Sequence, residues 1–410
     1  MSDNSGHDAA TIGALEDNHL FQNYGHRKIV LVRGQGCHVY DDTGKQYLDF
    51  ISGIGVNALG HGHSRVLKAI CDQVGTLMHC SNLYAHPYQG PLAEKLTKLS
   101  GLDRAYFCNS GAESVETALK IAKGYGRSKS PDKFEIVALN NSFAGRTLAA
   151  IAITGQPKYR EPFEPLIPGV KFVDPNDIQA LEAAVSDKTA AIMFEPILGE
   201  GGIVQITRAF AQRASELSKQ HDALLLFDEI QCGLGRTGEY FAFQAWNDGQ
   251  EAAILPDVVT LAKPLGGGLP IGAVLATDRA ASILSAGMHG STFGGNALAC
   301  RIALEVFDVL DEILPRIQKT GAHFEGRLAE LVDKYDFVSD VRGRGLMRGL
   351  NLTVPGKSVV PAMAEKGFLM NCTAGSVLRF LPPYIIEPGH IDQLIAALEE
   401  IFAAGPPTDA

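Results

Sequence analysis

Residues 223–231, ALLLFDEIQ, and 254–263, ILPDVVTLAK, decide the fold class of this chain. Each is a short run rich in Leu and Val that reads as a buried β-strand. Each releases one ionisable side chain where the run stops, Asp228 in the first and Lys263 in the second. The second run continues into the glycine-rich PLGGGLPIG (264–272). In open parallel α/β sheets the carboxyl ends of the strands converge on the ligand crevice, so this carboxylate and this amine are expected to face one pocket.

Further strand-like runs, EIVAL (135–139) and AAIMFEP (190–196), alternate with helical spacing in RVLKAICDQVGTLM (65–78), PLAEKLTKLS (91–100) and ESVETALKIAKGYG (113–126). That alternation predicts an α/β architecture, a parallel-rich sheet with helices on both faces. Near the N-terminus, VRGQGCHVYDDTGKQYLDF (32–50) reads as a β-hairpin turning at Asp42 to Gly44. A long helical stretch from about Ala297 to Tyr335 leads into strand-like DVRGRG (340–345), LMRGLNLT (346–353) and VLRFLPP (377–383), a separate small α+β unit expected to pack with the hairpin. The expected division is a disordered or arm-like segment 1–20, a segment 21–60 that joins the small domain, a large domain 61–300, a small α+β domain 301–403 and a disordered tail 404–410.

Composition narrows the function classes. The chain has 410 residues, 46% hydrophobic and 20% charged, with 36 basic against 46 acidic side chains and a net charge of −10. With no block of Lys and Arg to track a phosphate backbone, nucleic acid and anionic membrane surfaces are not expected partners. No apolar stretch approaches the ~20 residues that span a bilayer. MSDNSGHDAATIGALEDN (1–18) resembles neither a secretory signal nor an Arg-rich transit peptide, so a cytoplasmic location is expected. The seven cysteines are scattered, odd in number and free of C-x-x-C pairs, as reduced thiols would be.

Four motifs carry candidate chemistry. In YFCNSGAESVETALKIAK (106–123) a strand meets the small turn Ser110-Gly111-Ala112 immediately before a helix. Exposed N–H groups and the helix dipole there would hold a phosphate, although the same turn is also a common N-cap with nothing bound. GLGRTG (233–238) spells G-x-G-x-x-G after a strand, but EYFAFQAW behind it lacks an amphipathic helical start, so a glycine-rich loop bordering the pocket is the better reading than a dinucleotide site. His61 and His63 lack a third ligand at metal spacing and read as structural. Arg146 and Arg379 lie in largely apolar stretches, where an arginine needs an acidic partner or a carboxylate ligand. A lysine amine and an aspartate facing one pocket, beside a phosphate turn, suit pyridoxal phosphate: the lysine forms a Schiff base and the aspartate pairs with the pyridinium nitrogen.

Taken together, DFISGIGVNALGHGH (49–63), CNSGAESVETALK (108–120), NSFAGRTLAAIAITGQPKY (141–159), FEPILGEGG (194–202), LLLFDEIQCGLGRTG (224–238), LAKPLGGGLPIGA (261–273), HGSTFGGNALAC (289–300) and VLRFLPP (377–383) resemble the class III aminotransferases, most closely the acetylornithine aminotransferases. The resemblance runs from about Asn23 to Ile401. It implies the aspartate-aminotransferase-like fold type I, a large domain with a mostly parallel seven-stranded sheet and a small α+β domain, with pyridoxal 5′-phosphate as cofactor. It assigns Lys263 as the Schiff-base lysine, Asp228 as the pyridinium partner and Gln231 as a neighbour of the ring hydroxyl. Ser110, Gly111 and Ala112 would cradle the phosphate, Phe143 would stack on the ring, and Thr292 would reach the phosphate of a neighbouring subunit's cofactor, which implies a homodimer with shared active sites. Ser291 is implied in substrate binding. Arg146 would hold the far carboxylate of N-acetylornithine, Arg379 the α-carboxylate of glutamate or 2-oxoglutarate, and Glu200 would pair with Arg379 when the long amine is bound.

Two positions depart from many relatives: Ala144 stands where histidine is frequent, and Pro264 follows the lysine where alanine is frequent. Relatives specific for free ornithine carry a tyrosine near Gly53, and glycine leaves room there for an acylated substrate. The expected reaction is transfer of the δ-amino group of N-acetylornithine to 2-oxoglutarate, in arginine biosynthesis. Succinylornithine, ornithine, 4-aminobutyrate and succinyl-diaminopimelate are the alternative amines. Amine migration or racemisation on the same fold, and a nicotinamide oxidoreductase built on GLGRTG, are the competing reaction classes.

Overall fold

The computed structural model describes residues 8–25, 27–250 and 252–408, so the extreme ends of the arm and tail anticipated at the termini lie outside the described residues. Within that N-terminal stretch, Ala9–His19 is a helix capped by the Asp8 carboxylate, which accepts the Thr11 N–H. Strands β1 (Leu31–Gln35), β2 (His38–Asp41) and β3 (Gln46–Asp49) then form an antiparallel meander. The β2–β3 turn falls at the anticipated Asp42 to Gly44, where the Asp41 carboxylate accepts the N–H groups of Thr43 and Lys45.

Seven strands build the large sheet. In chain order they are β4 (Arg104–Cys108), β5 (Glu135–Leu139), β6 (Val170–Val173), β7 (Thr189–Phe194) and, after a short ribbon of β8 (Ile197–Leu198) with β9 (Val204–Gln205), β10 (Leu224–Asp228), β11 (Val258–Leu261) and β12 (Gly272–Ala276). The spatial order is β4-β12-β11-β10-β7-β5-β6, parallel except for β12, which runs antiparallel to both of its neighbours.

Every residue of β7, β10 and β11 is buried, because helices cover both faces. Along β10 the side chains divide by parity. Leu224 and Leu226 pack with Val115, Ala118 and Ala122 of the helix Gly111–Lys129, whereas Leu225 and Phe227 pack with Phe210, Ala214 and Leu217 of the helix Arg208–Gln220. The continuous apolar runs of the sequence are the consequence of that double coverage, since neither face can be polar.

The helix Ala297–Lys334 leads into an antiparallel sheet of β13 (Val338–Arg344), β14 (Met347–Leu352), β16 (Asn371–Thr373) and β17 (Val377–Phe380), in the order β13-β14-β17-β16. Between them β15 (Phe368–Leu369) pairs in parallel with β3, Phe368 opposite Leu48, so the N-terminal meander joins the C-terminal part through a strand. Leu381 N–H donates to Phe50 O and Ser52 Oγ–H to Leu381 O, which ties the chain after β17 to the segment after β3.

Candidate active site

A cavity of about 450 Å³ opens at the carboxyl ends of β7, β10 and β11, and Glu195, Asp228 and Lys263 all line it. Strand register brings them together. Phe227 lies opposite Phe194 and Asp228 opposite Thr260, so the side chain following β7, the last of β10 and the one shortly after β11 emerge at one level. Lys263 adopts φ 34°, a left-handed conformation that costs a non-glycine residue about 1–3 kcal/mol and is found where surrounding structure enforces it.

These groups sit in a dry environment. Asp228 is 4% exposed and its Oδ1 accepts the Ile230 N–H at 3.0 Å. Burial pushes its carboxyl up to about 6, although the Ile230 N–H and the nearby Lys263 amine pull the other way. Burial, reinforced by the Arg379 charge, lowers the Lys263 amine below its usual range. A carboxylate so buried is best satisfied by a cationic nitrogen, and burial shifts the amine toward its neutral, nucleophilic form.

Ser110, Gly111 and Ala112 also line the cavity, as the cap and first turn of the helix Gly111–Lys129. The Ser110 hydroxyl accepts the Glu113 N–H and donates to the Glu113 carboxylate, which also accepts the Asn109 N–H; the turn is thereby locked. The first N–H groups of the helix have no intrahelical acceptor and carry the positive end of its dipole, a ready site for a phosphate. Gly272 of β12 permits this turn to sit so close: a Cβ there would lie 2.5 Å from Ser110 O and 2.8 Å from Cys108 Sγ.

Phe143 lines the cavity, and its ring lies edge-on to Tyr159 at 6.5 Å. Arg146 also lines it, but it is exposed, and its guanidinium stacks 4.0 Å over the Tyr159 ring rather than lying in apolar surroundings with an acidic partner. The cation–π contact holds the guanidinium without consuming its hydrogen-bond donors.

Arg379 is 1% exposed, near the end of β17. It donates to Glu200 Oε1 at 2.5 Å, Gly199 O at 3.2 Å, Gln231 Oε1 at 3.3 Å and Asn371 Oδ1 at 3.1 Å. Burial alone would raise the Glu200 pKa, yet the Arg379 guanidinium holds it below the ordinary carboxylate value. Gln231 lines the cavity, so this cluster adjoins it from the side of the C-terminal sheet.

Ser291 and Thr292 stand apart from the wall. Ser291 Oγ accepts from Asn109, itself a lining residue, whereas Thr292 is exposed next to Phe293. The GLGRTG loop does not border the cavity. Its Arg236, fully buried, donates to Leu346 O and Pro382 O, Tyr384 Oη–H donates to Leu234 O, and a Cβ on Gly345 would lie 2.5 Å from Thr237. The motif's own Gly235 and Gly238 permit close contact with Leu310 and Gln318 of the helix Ala297–Lys334 instead. Gly53 is likewise exposed and Val56, three residues on, reaches the cavity. His61 is engaged by Asp49 at 2.9 Å.

Glu195, Asn109, Ile230 and the segment Leu269 to Ile271 line the site without having been singled out in the sequence. The rule that selected Asp228 and Lys263 would also have found Glu195, since it is the ionisable residue released where the buried run β7 stops.

The family model for class-III aminotransferases matches residues 21–402. The acetylornithine aminotransferase of Methanocaldococcus jannaschii is 49% identical over 391 residues, covering 95% of this chain and 97% of that protein. An ornithine aminotransferase structure from Toxoplasma gondii, described with partial occupancy of PLP at its active site, is 34% identical with a TM-score of 0.89, covering 97% of this chain and 95% of that one. The acetylornithine aminotransferase structure from Elizabethkingia anophelis is 31% identical with a TM-score of 0.83, covering 97% of this chain and 100% of that one.

Proposed function

This chain belongs to the class-III aminotransferases, with the fold type I architecture, and we propose that it transfers the δ-amino group of N2-acetylornithine to 2-oxoglutarate, giving N-acetylglutamate 5-semialdehyde and glutamate. The protein is a transferase and its cofactor is pyridoxal 5′-phosphate, which supplies, when bound, an electron sink for the carbanion formed at the substrate carbon. The residues present fit that group. Asp228 would offer a buried carboxylate to the pyridine nitrogen, and Gln231 would neighbour the ring hydroxyl. Ser110, Gly111 and Ala112 offer hydrogen-bond donors to the phosphate, Phe143 offers a ring face, and Lys263 offers the amine that attaches the cofactor.

The observation that carries the substrate reading is a pair of arginines in contrasting settings, Arg146 on the cavity wall and Arg379 in a buried cluster that adjoins the cavity through Gln231. Arg146, exposed on the cavity wall and without an acidic partner among the described residues, is suited to the far carboxylate of a long amine, and the buried Arg379 is paired with Glu200. With the long amine bound, Glu200 stays on Arg379. With glutamate or 2-oxoglutarate bound, the α-carboxylate takes its place. Lys263, whose pKa burial lowers, would serve as the base that takes and returns the proton at the amino-bearing carbon of the substrate.

A homodimer with shared sites is part of this reading. Leu83 is 83% exposed, Phe293 63% and Met78 52%, and Asn82 donates to Ser291 O and Gly294 O, so the two loops form one apolar surface around Thr292. A second copy covering it would bring Thr292 to the neighbouring phosphate turn, with Ser291 at the substrate side. The division into a large domain 61–300 and a small domain 301–403 joined by 21–60 also belongs to the reading, as does cytoplasmic work in arginine biosynthesis. Among the described residues no helix is long and apolar enough to cross a membrane.

The test is the absorption spectrum of the holoenzyme with each candidate amine. Acetylornithine is expected to change the cofactor band and 2-oxoglutarate to restore it. A higher kcat/KM for ornithine or 4-aminobutyrate than for acetylornithine would overturn the substrate assignment while leaving the reaction class intact.

A further inference from the structure

Glu195 has no part in the chemistry above, yet it is a buried carboxyl, 6% exposed, on the cavity wall. Its two oxygens are divided between two chain segments. Oε1 accepts the Phe143 N–H at 3.0 Å, and Oε2 accepts the Gly199 N–H at 3.0 Å. The first segment carries Phe143 and, three residues on, Arg146. The second carries Glu200, and Gly199 O is itself an acceptor for Arg379. Gly199 also packs close to Gln231, since a Cβ there would lie 2.1 Å from Gln231 Oε1.

We infer that Glu195 is a positioning residue that clamps the Phe143–Arg146 segment to the Gly199–Glu200 turn, so that the two arginine subsites keep a fixed separation across the cavity. A substrate with carboxylates at both ends is recognised by that separation as much as by either arginine, since a misplacement of about 1 Å is enough to cost large factors in rate. A carboxylate is the one side chain that can serve here. It offers two acceptor oxygens, whereas glutamine offers one and turns an N–H donor toward the other backbone N–H. Burial, and after it the Asp228 charge, raise the Glu195 pKa, while the two backbone donors and the Lys263 charge oppose them by favouring the ionised form.

The inference rests on Arg146 and Arg379 receiving carboxylates, but its primary test does not depend on the amine. Hydrogen exchange of the substrate-free holoenzyme is followed by mass spectrometry in peptides covering 140–147 and 196–202, for the native protein and for Glu195→Gln. Exchange is expected to speed up in both segments, with unchanged cofactor content. Steady-state KM is expected to rise by about fivefold for the keto acid, whose two carboxylates engage both arginines, the loss of one hydrogen bond worth about 1 kcal/mol, and by less for the amine, which engages Arg146 alone, while kcat changes less. Glu195→Asp, which keeps the charge but is too short to reach both segments, is expected to behave alike and serves if the glutamine variant does not fold. Acceleration in one segment only, in neither, or a keto-acid KM that does not rise overturns the clamp. Failure of the substrate reading shows separately, as absence of turnover of acetylornithine by the native enzyme.

Discussion

Replacing Glu200 by glutamine isolates the charge of the gate on Arg379. In the native site the guanidinium is almost wholly buried and its shortest contact is to Glu200 Oε1 at 2.5 Å. A hydrogen bond to a charged group contributes about 1.5–3 kcal/mol and a neutral one about 0.5–1.5 kcal/mol, so the exchange weakens the gate by about 1–1.5 kcal/mol. Arg379 stays oriented because Asn371 Oδ1, Gly199 O and Gln231 Oε1 still accept from it. An incoming carboxylate then displaces a weaker competitor, and dicarboxylates should bind about five- to tenfold more tightly. Titration calorimetry of the holoenzyme with glutarate, which has no keto group to react, reads this directly. The KM for 2-oxoglutarate should fall in parallel, and that for acetylornithine should rise because a buried cation is left less well paired. Unchanged or weaker glutarate binding in Glu200→Gln would refute the idea that Glu200 competes with a substrate carboxylate.

Further predictions concern cofactor and pH. The Asp228 carboxyl, raised from 3.8 to about 6, binds a proton in the folded apoprotein that the unfolded chain has released, so apoprotein stability falls as pH rises between those values. The loss is about 3 kcal/mol, and Glu229, raised to about 7, acts in the same direction. Thermal melts of the apoprotein between pH 4 and 7 should show the decline, Asp228→Asn should flatten it, and a decline that persists undiminished in that variant counts against the assignment. Gly272→Ala pushes a Cβ against Ser110 O at 2.5 Å, so the phosphate turn must shift; cofactor affinity measured by dialysis should drop tenfold or more, and unaltered affinity would contradict the cradle. In Arg146→Met the KM for acetylornithine should rise by about tenfold or more, the worth of a charged hydrogen bond, with little change in melting temperature because the side chain is exposed. A melting temperature that falls sharply would mean that Arg146 serves structure instead.

Much of the architecture was legible because burial on both faces leaves a strand no choice but a continuous apolar run. The β7, β10 and β11 segments announce themselves that way, and the polar residue at the end of each run marks the functional edge of the sheet. The antiparallel course of β12 was not legible, since Gly272–Ala276 is as apolar as its parallel neighbours and direction depends on the connection. GLGRTG misled for a related reason: glycines that allow close approach look alike whether the neighbour is a pocket or, as here, the long helix Ala297–Lys334. Arg146 and Arg379 read alike in sequence, yet one is exposed on a tyrosine ring and the other is sealed among four acceptors.

The sequence by itself determined the fold class, the family and the residue types that meet at the strand ends, because those follow from hydrophobic periodicity and from local turn chemistry within a few residues. Tertiary structure alone decided which carboxyls are dry enough to be shifted, that Glu200 lies on Arg379 although far from it along the chain, and that Glu195 spans two segments. Burial and hydrogen-bond partnership are properties of what surrounds a side chain, and for these residues the surroundings come from strands distant in sequence that the sheet brings into register.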